Sequence, residues 1–139
     1  MKLVILASGR GSRLNSLTKD IPKCMVSVSG KPIIKYLEKS FKLFKEIIIV
    51  TGYRSSKIEK KDFKKSVKFI KNNNYKNTNM VYSLFCASKK IDQDIVVAYS
   101  DIIVDHKIFI KLINKKTSTV PLNYNWLKNW KQRMKMKDI

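Results

Sequence analysis

Chemistry in this sequence starts with a run of small and basic residues, Ser8, Gly9, Arg10, Gly11, Ser12 and Arg13, closed by Leu14. Two glycines one residue apart let the backbone turn sharply and bring its N–H groups against phosphate oxygens, and a following helix would add its N-terminal dipole. The spacing excludes two familiar phosphate motifs. The dinucleotide fingerprint GxGxxG needs a glycine where Leu14 stands, and no stretch reads GxxxxGK[ST]. Behind the loop lies Arg13, and Pro22-Lys23 follows ten residues later, so two cations can converge on whatever phosphate the glycines hold.

These residues need elements to position them. Residues 3–7, 46–51 and 94–100 are short runs dense in isoleucine and valine and read as buried strands. Between the first two, Pro32 suits a first helical turn, and Ile33, Ile34, Leu37, Phe41 and Phe44 recur at helical spacing. A second helix is expected after Ser55 or Ser56, carrying Ile58 and Phe63, then a short strand over 67–70 and a loop through Asn72, Asn73, Asn74 and Tyr75. Asn79 is a candidate cap for a helix turning Met80, Leu84, Phe85 and Ala87 to one side, and Asp105 for one holding Ile108, Leu112 and Ile113. Residues 119–122 read as a last short strand, ahead of Trp126 and Trp130 at i, i+4 spacing, where core packing is the expected use.

Such alternation implies one α/β domain over 1–139, a three-layer Rossmann-like sandwich with a mostly parallel central sheet. Ligands in such sheets bind beyond the carboxyl ends of the strands. The loops beginning at Ser8, Gly52 and Asp101 are therefore where chemistry is expected.

Composition narrows the partners. The chain has 139 residues, 44% of them hydrophobic, which supports a packed core and argues against disorder. A formal charge of +20 would suit nucleic acid, but of 30 basic residues only Arg10, Arg13, Arg54 and Arg133 are arginine. Lysines spread along the whole chain favour a solvated surface over a nucleic-acid patch. The apolar run 3–7 is far too short to cross a bilayer and lacks a signal-peptide cleavage region; with Cys24 and Cys86 far apart, the expected location is a reducing cytoplasm. His106 is the sole histidine, which argues against a Ser-His-Asp triad and rules out a multi-histidine metal site within one chain.

Leu6, Ala7, Gly9, Gly11, Ser12 and Arg13, then Pro22-Lys23, then Gly30-Lys31-Pro32, resemble the signature of the sugar-phosphate and phosphocholine nucleotidylyltransferases, the NTP-transferase family with a glycosyltransferase-A-like fold. Ser8 stands where this motif usually has a second alanine. Gly52-Tyr53 resembles the family's turn after its second long strand, and Ser100-Asp101 its Gly-Asp after the third. The segment with Asn74, Tyr75, Thr78, Asn79, Tyr82, Ser83 and Leu84 resembles the nucleotide-side loop of the phosphocholine-type cytidylyltransferases, and Trp126, Trp130 and Arg133 fit the region beyond.

The resemblance implies transfer of a nucleotidyl group, cytidylyl by preference, from an NTP to a phosphorylated small molecule with release of pyrophosphate. It implies catalytic roles for Arg13, on the β and γ phosphates, and Lys23, on the α-phosphate and acceptor phosphate, and a Mg²⁺ ligand in Asp101. Nucleotide-binding positions would be Leu6, Ala7, Ser8, Gly9, Gly11, Ser12, Arg13, Gly52, Tyr53, Asn79 and Ser83. Tyr75, Tyr82, Trp126 and Trp130 are candidates for a partial cage around a quaternary ammonium such as choline. The likeness covers the first half or more of the family fold, so the chain is expected to be its N-terminal portion. No acidic residue lies between Asp105 and Asp138, and Asn123 stands where relatives tend to carry aspartate, so a second metal carboxylate could come only from Asp105 or Asp138. Three readings follow: a cytidylyltransferase-type enzyme, which as a truncated or split product would have impaired activity, a nucleotide-binding remnant without efficient turnover, and a basic nucleic-acid-binding α/β domain.

Overall fold

A computed structural model describes residues 1–133. The chain opens with β1 (Lys2–Ala7) and a tiny antiparallel hairpin, β2 (Ser27–Val28) with β3 (Lys31–Pro32). Ser29 and Gly30 form its two-residue turn with φ of 49° and 76°, the doubly left-handed geometry that matches strand twist. A 3₁₀ turn over Ile33–Leu37 passes into α1 (Glu38–Phe41), then β4 (Glu46–Thr51) and β5 (Lys68–Lys71). After α2 (Met80–Cys86) come β6 (Ile95–Tyr99), α3 (His106–Ile113) and α4 (Trp126–Arg133).

The four long strands make one wholly parallel sheet in the order β5-β4-β1-β6. Both faces of β1 are covered, which is why it reads as an unbroken apolar run. Leu3, Ile5 and Ala7 join Ile34, Leu37, Phe41, Phe44 and Phe109 on one side, while Val4 packs with Ile48, Val50 and Ala87 on the other. Each fully buried valine, leucine, isoleucine or phenylalanine side chain of this set is worth about 1.5–3 kcal/mol of burial free energy. From β1 the chain moves to β4 and β5, then returns to β6 on the opposite side of β1. The order reverses between β1 and β6, so the crevice at their carboxyl ends is the place where such sheets take ligands.

Four expectations about the elements are corrected. No α-helix follows Ser55; 3₁₀ turns at Ser55–Lys57 and Lys60–Asp62 are separated by a new start, where the Glu59 N–H donates to Asp62 Oδ2 at 2.8 Å. Ile58 and Phe63 are five residues apart, which cannot put them on one helix face, and both are buried from extended backbone. Pro32 is the last residue of β3 with ψ of 135°, and the helical turn begins after it. Residues 119–122 form no strand: Pro121 lacks a donor, and Val120 and Leu122 are exposed.

The fourth concerns packing. In α2, Ala87 just past the helix end and Ser83 point inward, leaving Met80 and Phe85 exposed, because Phe85 lies two residues and so about 200° around the helix from Ser83. Trp126 and Trp130 stack edge to face at 5.9 Å on α4 but remain 55% and 46% exposed, so they are not core. Asn79 and Asp105 do cap α2 and α3, accepting from the N–H groups of Tyr82 and Lys107. No helix among the described residues is long and apolar enough to cross a membrane.

Candidate active site

Beyond Ala7 the chain leaves the sheet and turns at Gly11, whose φ is 74°. A Cβ there would lie 2.8 Å from Cβ of Lys23, so glycine is required both by the left-handed backbone and by the approach of Lys23. The Gly11 carbonyl accepts from Leu14 N–H at 2.9 Å and from the buried Thr18 hydroxyl at 3.1 Å, which fixes the turn. By contrast, the N–H groups of Gly9, Arg10 and Gly11 have no acceptor among the described residues. Gly9 and Arg10 are exposed and Gly11 is half-buried, so these donors are unspent within the loop. The helix expected next is instead a pair of 3₁₀ turns over Ser12–Thr18, broken at Asn15 with φ 46° and ψ −115°. So short and interrupted a segment adds little macrodipole, and the loop's own N–H groups carry the attraction for anions.

Lys23 and Asp101 arrive from opposite ends of the domain. Pro22 starts a 3₁₀ turn over Lys23–Met25 that is anchored by buried Cys24. Ser100 extends the β1–β6 ladder by donating its N–H to Leu6 O at 3.2 Å, and the next residue is Asp101. The ammonium of Lys23 and the carboxylate of Asp101 form a direct ion pair across the crevice. Both side chains are half-buried, at 39% and 26% exposure. The cation and the carboxylate thus share one small space beside the loop. Arg13 is exposed and has no carboxylate within ion-pair distance among the described residues, so its charge is uncompensated.

Gly52 and Tyr53 close a second side. A Cβ on Gly52 would meet Ser8 O at 2.6 Å and Tyr75 Cβ at 2.8 Å, so the loops after β1 and β4 touch through a missing side chain. Tyr53 donates its N–H to Ser8 O at 3.0 Å and its hydroxyl to Lys19 O, bracketing the glycine loop at both ends. Arg10 and Arg54 place their guanidinium groups 5.5 Å and 5.8 Å from the Tyr53 ring centre, and Tyr75 packs edge-on against it at 6.1 Å. Tyr75 therefore pairs with Tyr53, while the two tryptophans pair with each other, in place of the four-ring cage.

The remaining candidates differ in reach. Ser12 is exposed and Leu6 half-buried, whereas the Ala7 side chain is buried in the core. Asn79 is exposed at the start of α2, but Ser83 is 1% exposed, with its hydroxyl within hydrogen-bond distance of Ser8 Oγ at 2.8 Å and of Asn79 O at 3.2 Å. Any contact between Ser83 and a ligand runs through Ser8. Asn72, fully buried just past β5, belongs to the same cluster and has no counterpart among the expected site residues. Its one signal in the sequence is its place directly after a strand; three consecutive asparagines hide which one turns inward. Asp105 is spent as the α3 cap, His106 faces Ser40 at 3.2 Å, and Asp138 lies outside the described residues. Among the described residues no three acidic, histidine or cysteine side chains gather into a metal cluster.

Burial pushes the Cys24 thiol up to about 12, with the nearby Asp101 charge adding to the effect. At pH 8 a soluble thiol reagent is expected to modify half-buried Cys86 and spare Cys24 in the folded protein, as mass spectrometry of labelled peptides would report. The raised value also sets a sign: the stability gained by keeping Cys24 protonated is complete below about pH 9 and is lost as pH rises towards 12.

Comparison with known proteins bears on this crevice. Residues 3–121 match the MobA-like NTP transferase domain. The chain is 38% identical to a CTP:phosphoglutamine cytidylyltransferase of Campylobacter jejuni, over 96% of this chain and 56% of the relative. It is 33% identical to a choline-phosphate cytidylyltransferase of Streptococcus pneumoniae, over 70% of this chain and 43% of the relative. The solved CTP:phosphocholine cytidylyltransferase from Streptococcus pneumoniae superposes with a TM-score of 0.64 over 72% of this chain and 44% of that one. The chain spans about half the length of the curated relatives it matches. A loop of unspent N–H groups beside a lysine and an aspartate, on this sheet and with this sequence likeness, leads to one assignment: the chain belongs to the MobA-like NTP transferase domain family.

Proposed function

We propose that this chain is the nucleotide-binding part of a cytidylyltransferase, which moves a cytidylyl group from CTP to a phosphorylated small molecule and releases pyrophosphate. The observation that carries it is the Lys23–Asp101 pair beside the open N–H groups of the glycine loop. Preference for CTP rests on the cytidylyltransferases it resembles. In the reaction an acceptor phosphate oxygen attacks the α-phosphorus, and the bond to the α–β bridging oxygen breaks. Little covalent help is needed, so positioning and charge dominate. The loop N–H groups and Arg13 hold the β and γ phosphates and take up the charge that develops on the leaving pyrophosphate. Lys23 turns from Asp101 to the α-phosphate and the incoming acceptor. A half-buried carboxylate that already holds a cation fits Mg²⁺, which takes few protein ligands beside phosphate and water oxygens. Asp101 would hold that ion, which supplies charge neutralisation when bound. Two free cysteines suit a reducing cytoplasm.

A panel of nucleotides and acceptors, assayed for pyrophosphate with Mg²⁺, tests the reading. CTP with choline phosphate, a phosphonate, a phosphorylated amino acid or a sugar phosphate is expected to give turnover above the ATP, GTP and UTP controls. A second reading, binding without efficient transfer, is favoured by the absence, among the described residues, of a cluster of three metal-ligating side chains. Thermal stabilisation by CTP with no pyrophosphate would select it. Salt-sensitive nucleic-acid binding that survives Arg13→Ala would instead point to a basic binding domain.

A further inference from the structure

We propose that Asn72 is a positioning residue for the glycine loop, acting through Ser83 on the hydroxyl of Ser8. The inference rests on the nucleotide-binding reading above and adds a residue to it. Asn72 is fully buried, where an amide without partners would be costly, and both polar atoms of its side chain are engaged. Its own N–H donates to Thr51 O at 2.8 Å, and its Oδ1 accepts from Asn74 N–H at 2.9 Å. That second bond fixes the amide orientation, because a backbone N–H can only donate. Nδ2 therefore faces Thr78 Oγ1 and Ser83 Oγ, each at 3.0 Å, and gives one proton to each. Thr78 passes its own proton to Asn74 O at 2.8 Å.

The proton of Ser83 then decides what Ser8 can do. Ser83 Oγ lies 3.2 Å from Asn79 O and 2.8 Å from Ser8 Oγ. Asn79 O accepts from Ser83 N–H and is a second acceptor for the hydroxyl, whereas Ser8 Oγ offers the shorter contact. Donation from Asn72 polarises the Ser83 O–H and makes it the better donor towards Ser8. With its lone pair filled by Ser83, Ser8 has its own proton free for the crevice, beside the open N–H groups of Gly9, Arg10 and Gly11. In this chain the loop gains a side-chain donor that an alanine at position 8 would lack.

Asn72→Asp reverses the logic. An acceptor-only carboxylate draws the Ser83 proton to itself, Ser83 then accepts from Ser8, and the Ser8 proton turns away from the ligand. Titration calorimetry with CTP should show Kd raised about tenfold by Asn72→Asp, by Ser83→Ala and by Ser8→Ala, the scale of one hydrogen bond to a charged group. Because all three act through one proton, the double variant Asn72→Asp/Ser8→Ala should bind within about twofold of its weaker parent rather than a further tenfold worse. A merely structural Asn72 would lower the ligand-free Tm and leave the Kd of the folded fraction unchanged. If Asn72→Asp does not fold, Ser83→Ala against half-buried Ser8→Ala carries the same comparison. CTP binding by the unsubstituted chain that these changes leave unmoved, or that multiplies in the double variant, overturns the inference alone. Absence of any CTP binding by the unsubstituted chain overturns the functional reading and this one with it.

Discussion

Arg13→Ala is expected to slow pyrophosphate release from CTP by about 10²–10³, the scale of one charge donor aimed at a developing anion. The size follows from what Arg13 lacks. No carboxylate neutralises it among the described residues, so in the proposed mechanism its full charge would be available to the leaving group, while Lys23 would first have to leave Asp101. An exposed side chain with no partner also contributes little to folding, so the ligand-free Tm should stay near that of the unsubstituted chain. Arg13→Lys keeps the charge but loses the planar fork and should fall between the two. Steady-state pyrophosphate assays with the three proteins check this. A loss below about threefold, against that scale, would remove Arg13 from the machinery.

Gly52→Ala should be far more damaging than Gly9→Ala. The added Cβ would sit 2.6 Å from Ser8 O, and that carbonyl cannot swing away because Tyr53 N–H holds it at 3.0 Å. Tyr75 Cβ, 2.8 Å away, blocks the other escape. Overpacking of this kind costs about 1–3 kcal/mol or more, and relief by moving Ser8 would displace the glycine loop proposed to bind the nucleotide. Gly9→Ala is the natural comparison, because nothing lies within 4 Å of a Cβ there. Urea unfolding should find Gly52→Ala shifted by that amount, with weakened CTP binding, and Gly9→Ala within about 0.5 kcal/mol of the parent. Equal effects at the two glycines would contradict the close approach of the two loops.

The strands were legible because the sheet buries both faces of its centre. Leu3 to Ala7 and Glu46 to Thr51 could be read as strands without any partner in view. The meeting of Gly11, Lys23 and Asp101 was legible for a different reason: parallel strands bring their carboxyl ends to one edge of the sheet. What stayed hidden depended on contacts that periodicity does not encode. Ile58 and Phe63 are apolar and near helix-forming neighbours, yet the Glu59–Asp62 hydrogen bond restarts the turn between them. Trp126 and Trp130 have core-like spacing, but nothing among the described residues covers them. Asn72 could be recognised only from its burial and its bonds, since its two exposed neighbours are chemically identical.

The central place of β1 also sets an order of events during synthesis. β1 and the glycine loop emerge first, and pairing with β4 can begin once residues 46–51 are available. The other flank of β1 must wait for residues 95–99, and with it the ion pair between Lys23 and Asp101. Parallel pairing across so long a separation is slow, because loop closure precedes any reward from contact. Under the proposed function a nucleotide would find only half a crevice until β6 has paired with β1, and its binding would stabilise the paired sheet rather than the intermediate. Added CTP should accordingly leave the refolding rate nearly unchanged and slow unfolding.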